Sequence, residues 1–131
     1  LSGEEKSKGK NMSVKLLLNP AAEAQACVHP DTGITFMIHS VSPAKYAELR
    51  AKSLGKGGTL DVPKWSENFA VAAIDGWGDE VGDTNGPVEC NEANLRTFGR
   101  NQAINIMPWV IEQATSLEHF RIEEEDAAKN A

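Results

Sequence analysis

Two apolar runs joined by a proline-glycine turn set the first limit on this chain. Residues 24–41 read AQACVH, PDTG and ITFMIHSV. Proline presets φ at the start of the turn and Gly33 accepts a positive φ at its end, so the flanking runs are predicted to pair as an antiparallel β-hairpin. A turn at 30–33 sets Cys27 near Phe36 and His29 near Ile34, with His39 on the opposite face. A second short strand is expected at VKLLL, residues 14–18, closed by Asn19-Pro20 because proline cannot donate to a ladder.

Helices follow. In SPAKYAELRAKSL, Ser42 is placed as an N-cap and Pro43 sits at the first helical position, where its missing N–H costs nothing. GKGG at 55–58 stops that helix. Asp61 caps the next, VPKWSENFAVAAIDGW, in which Trp65, Phe69, Ala72, Ala73 and Gly76 form one apolar stripe. NEANLRTFGRNQAINI is a short helix capped by Asn91 and weakened by Gly99. MPWVIEQATSLEHFRIEEEDAAKNA is read as helical from Pro108, with Met107, Val110, Ile111, Ala114, Leu117 and Arg121 along one face.

The fold expected is therefore α+β: a mainly helical single domain over residues 13–122, with a small N-terminal β-hairpin layer followed by about four helices. Residues 1–12 are read as a flexible segment outside the fold, either a vector-derived remnant or a native extension, since Met12 reads as a natural start. The acidic stretch 123–131 is expected to fray. A length of 131 residues suits one core.

Charge narrows the partners. Thirteen Lys plus Arg against 19 Asp plus Glu give a net charge of -6, which opposes nucleic acid, because phosphate binding draws on clustered cations. The basic residues near the start are interrupted by acids and carry no interleaved aromatic. No apolar run has membrane-spanning length, and two cysteines far apart fit a reduced, cytoplasmic protein.

Several constellations resemble chemistry. WGDEVGDTNGPVEC, residues 77–90, enters an EF-hand register with Gly86 at the sixth position, Asp83 at the third, Asn85 at the fifth and Glu92 at the twelfth. Position one is then Val81, which brings no oxygen ligand, and the bland reading is a turn with solvent-facing carboxylates. Cys27 and His29 share a strand face but lack a third zinc ligand, so a buried thiol and an exposed imidazole are preferred. GKGG lacks the strand and the Lys-Ser or Lys-Thr of a phosphate loop, EEED at 123–126 repels itself, and no nucleophile has a base beside it. No catalytic residue, cofactor or metal ligand is assigned, and a non-enzymatic protein is expected.

Trp65 and Trp77 read as structural. Trp109 lies roughly opposite Met107 on a nominally polar helix face that also carries Gln113, Ser116 and Phe120. Trp109, Gln113 and Phe120 are the candidate partner-binding or self-association residues, against the alternative that this helix is packed on both sides.

A helix ending FAVAAIDGW, a short acidic turn with glycine, GPVECNEAN opening another helix, and an ending EEEDAAKNA together resemble the tail assembly chaperones of tailed bacteriophages and prophages. Trp77, Gly86, Pro87, Cys90 and Asn94 match that pattern, as does Lys129-Asn130, over about residues 65–131. GDEV between Trp77 and the turn glycine is a departure. The resemblance implies a protein that coats the tape-measure protein in the host cytoplasm, gives way to the tail-tube protein, and is absent from the virion. It also implies that this is the short form where a frameshift makes a longer one. The rival readings are a structural tail or head-tail connector protein and a calcium-binding module.

Overall fold

The computed structural model describes residues 14–123, which fall into two compact units. The larger, residues 22–116, holds a three-stranded antiparallel sheet, four helices and a small hairpin. The smaller comprises, of the described residues, 14–21 and 117–123. The architecture is α+β as expected, although the hairpin is not strictly N-terminal.

In the larger unit, β2 (Gln25–Val28) and β3 (Thr35–Ile38) form the expected hairpin, Cys27 opposite Phe36 and the His29 N–H bonded to the Ile34 carbonyl at 2.8 Å. Pairing sets the faces. Phe36 and Ile38 are fully buried, while Ala26, Val28, Thr35 and Met37 alternate outward.

Helix α1 (Pro43–Lys52) starts where Ser42 Oγ accepts from the Lys45 N–H at 3.1 Å, and a 3-10 turn at Lys56–Gly58 follows it. Helix α2 (Val62–Ala73) is capped by Asp61. It ends four residues earlier than the stripe predicted, because Ile74–Trp77 is β4, paired with β3 through Ile38–Ile74, Met37–Gly76 and Phe36–Trp77 with a bulge between. A free strand edge in register captured residues that continue a helical period. Trp77 therefore belongs to the sheet.

The acidic stretch is not a bare connector between helices. Gly82–Asp83 (β5) and Gly86–Pro87 (β6) pair, with Thr84-Asn85 as the two-residue loop, and Gly86 takes the positive φ of 128° that favours glycine. Helix α3 (Glu92–Asn101) is capped as expected, Asn91 Oδ1 accepting from the Asn94 N–H at 2.9 Å. Gly99 does not merely weaken α3. It is buried against Ser66 of α2, where a Cβ would stand 2.5 Å from the Ser66 carbonyl oxygen.

Helix α4 runs only Met107–Ala114. The Thr115 hydroxyl bonds the Ile111 carbonyl at 2.9 Å and closes the last turn. Met107, Val110 and Ala114 are fully buried and join Trp65, Phe69, Ala70, Ala73, Phe36 and Ile38 in one core beneath the sheet.

In the smaller unit the expected continuation of α4 is absent. Leu117–Phe120 is a 3-10 turn and Arg121–Glu123 is β7, antiparallel to β1 (Val14–Leu16), with Leu16 opposite Arg121. The Leu17 and Ala21 N–H groups reach the Phe120 and His119 carbonyls. Residues 121 and 122, read as helical, are strand because 14–16 offers them an edge. The 1–12 segment lies outside the described residues, as does the acidic tail beyond Glu123.

Candidate functional site

Of the residues that resemble the assembly-chaperone pattern, Trp77, Gly86, Pro87, Cys90 and Asn94 lie in one piece of the larger unit, and Lys129-Asn130 lies outside the described residues. Trp77, at the end of β4, donates its Nε1–H to the Val88 carbonyl at 3.0 Å, and the Val88 N–H reaches back to the Val81 carbonyl. This pins the β5–β6 hairpin beside the sheet. Asn94 donates its side-chain amide to the Glu89 carbonyl at 2.8 Å, tying the segment before Cys90 to the first turn of α3. Cys90 is half-buried against the core. Burial, and then the charge of Asp75, push its thiol above the ordinary range; burial alone does so for Cys27.

Between this hairpin and α3 lies a cleft of about 230 Å³. Trp77, Val81, Val88 and Phe98 supply apolar walls, with the Trp77 and Phe98 rings 5.4 Å apart at 46°. Asn94, Thr97 and Asn101 of α3, with Gln102 at its C-cap, supply amides and a hydroxyl, and Asp83 supplies a carboxylate. The spacing 94, 97, 98, 101 is one helical face.

Helix α3 sends its cations the other way. Arg96 and Arg100 meet Glu67 of α2, whose side chain is only 13% exposed. Arg96 also contacts Glu92 at 3.2 Å and Asn68 at 3.0 Å, and Asn68 donates to the buried Ser53 Oγ at 3.0 Å. Ser53 in turn donates to the Leu49 carbonyl. Another hollow beside this network, about 400 Å³, is lined in part by Lys45, Lys52 and Arg96, all engaged by carboxylates.

The EF-hand register does not fold as a calcium loop. Asp83 Oδ1 is occupied by the Asn85 N–H at 2.8 Å, as an Asx turn, and Glu92 pairs with Arg96. Among the described residues no three His, Cys, Asp or Glu side chains are grouped to hold a metal ion. His29 is buried rather than exposed: its ring stacks edge-on against Trp109 at 5.0 Å, and Nδ1 bonds Thr32 Oγ1 at 2.9 Å. His39, on the outer side of the sheet, meets Asp75 at 3.1 Å.

The three residues singled out as a partner surface are not side by side on one helix. Trp109 and Gln113 lie on α4 and are half-buried, and the Trp109 ring is held by His29 and by Phe36, 5.9 Å away. Phe120, half-buried, lies in the smaller unit. That unit also carries Leu16, Leu18 and Leu117, exposed at 67%, 95% and 60%. These leucines escaped the sequence reading, which placed Leu117 on the core stripe of α4.

No helix among the described residues is long and apolar enough to cross a membrane. No family model, curated protein or solved structure matches the chain.

Proposed function

We propose that this protein is a tail assembly chaperone of a tailed bacteriophage or prophage, non-enzymatic, acting in the host cytoplasm on the tape-measure protein and yielding to the tail-tube protein. The observation that carries the reading is the smaller unit. Two three-residue strands cannot bury Leu16, Leu18 and Leu117, and a soluble monomer gains nothing by displaying them. A chaperone does gain, because it must offer apolar surface to an aggregation-prone partner and release it later.

Weak contacts suffice when many copies line one long partner, since avidity multiplies them. A net charge of -6 keeps such a loaded complex soluble by self-repulsion. Phe120 belongs to this surface, and the exposed margins of Trp109 and Gln113 form a second one on α4.

Co-expression with the long open reading frame of the same gene cluster tests the proposal. The long protein should become soluble with the chain and lose that solubility with the Leu18→Asp, Leu117→Asp variant, whose thermal midpoint stays unchanged. A long protein equally insoluble with and without the chain sinks the proposal. Stoichiometric presence in purified particles favours the structural tail or connector role instead.

A further inference from the structure

We propose that the cleft between the β5–β6 hairpin and α3 is a receptor for a single arginine side chain presented by a protein partner. It stands apart from the assembly reading, because its residues and its test involve neither the exposed leucines nor a tape-measure protein. Size makes the first selection. At about 230 Å³ the cleft is smaller than the roughly 300–1,000 Å³ of sites that enclose whole small-molecule ligands. One long side chain fits that space.

Charge makes the second. Segment 77–90 carries Asp79, Glu80, Asp83 and Glu89 and no Lys, Arg or His, and all four carboxylates are exposed. Among the lining residues the one charged side chain is Asp83. The nearby cations Arg96 and Arg100 are drawn to Glu67. An anionic group would therefore meet no cation among these lining residues, while a cation approaches down a one-signed field.

Shape and donor count then choose arginine over lysine. Trp77 and Phe98 offer aromatic walls, and a planar guanidinium stacks on such faces as a compact ammonium does not. Guanidinium has five N–H donors and no acceptor. Asn94 spends one of its two amide N–H donors on the Glu89 carbonyl and keeps its side-chain oxygen as an acceptor. The Thr97 hydroxyl donates to the Ala93 carbonyl, which likewise leaves its oxygen to accept. Asp83 uses Oδ1 for the turn and keeps Oδ2. Asn94, Thr97 and Asp83 can thus each accept from a guanidinium N–H.

The test is an amide-resolved NMR titration with N-acetyl-arginine methylamide, repeated with the citrulline counterpart, which has the same shape without the charge. Saturable shifts at Asp83, Asn94, Thr97 and the Trp77 indole are expected, with Kd on the order of 1 mM. Citrulline should bind about tenfold more weakly or not at all. Asp83→Asn preserves the acceptor that receives the Asn85 N–H, so it should keep the fold while weakening arginine several-fold. Absence of saturable shifts in the cleft, equal response to citrulline, or undiminished binding by Asp83→Asn each overturns the proposal.

Discussion

Gly99 of α3 rests against the backbone of Ser66 in α2, so closely that a Cβ on residue 99 would stand 2.5 Å from the Ser66 carbonyl oxygen and 3.0 Å from the Glu67 Cα. Backbone cannot swing aside as a side chain does. The two helices therefore cross at a distance that only glycine permits, and this crossing sets where α3 presents its outer face to the cleft.

Gly99→Ala follows from that contact with a sign opposite to the usual one. In an exposed helix the change would stabilise by up to about 1 kcal/mol. Here overpacking of about 1–3 kcal/mol opposes it, and the net expectation is a loss of roughly 1–2 kcal/mol, read as a lower urea midpoint with unchanged slope. A midpoint that rises would mean the helices separate freely.

Trp109 is held by two rings, His29 at 5.0 Å and Phe36 at 5.9 Å. Truncation of a fully buried tryptophan costs about 3–5 kcal/mol, and a half-buried one correspondingly less, so Trp109→Ala should cost about 2 kcal/mol. Thermal unfolding checks this. An unchanged midpoint would return Trp109 wholly to the partner surface.

Local sequence patterns carry the turns and caps of this fold but not its long-range strand pairings. The hairpin register, Ser42, Asp61 and Asn91 were legible because turn and cap chemistry is local. Ile74–Trp77 was not, since Gly76 continues the helical stripe and only pairing with β3 makes these residues strand. Arg121–Glu123 pairs with Val14–Leu16 from the far end of the described chain, beyond the reach of any sequence window. The cleft was half visible: the acidic turn stood out in the sequence, but nothing local shows that Asn94, Thr97 and Asn101 of the following helix face it.

Asn68 links three helices, donating to Ser53 Oγ just beyond α1 and accepting from Arg96 of α3. Each such bond contributes about 1 kcal/mol net. Asn68→Ala should therefore cost about 1–2 kcal/mol in urea unfolding. A double-mutant cycle with Ser53→Ala should return a coupling of about 0.5–1.5 kcal/mol, and a coupling of zero would show that the two side chains act separately.

The two thiols give a pH test that separates burial from charge. Both are raised above the ordinary value of 9.0, Cys27 by burial alone and Cys90 by burial and then by Asp75. A thiol that ionises later when folded than when unfolded contributes stability that is whole below about pH 9 and is lost as pH climbs through the raised folded value. Stability should fall in that alkaline range, and less so in the Cys27→Ser, Cys90→Ser protein. Asp75→Asn removes the second cause at Cys90 only. Its Cys90 should then alkylate with iodoacetamide faster at fixed pH, while Cys27 keeps its rate. Equal acceleration at both cysteines would instead mean that the substitution has loosened the sheet, because β4, which carries Asp75, pairs with the strand that also pairs with β2.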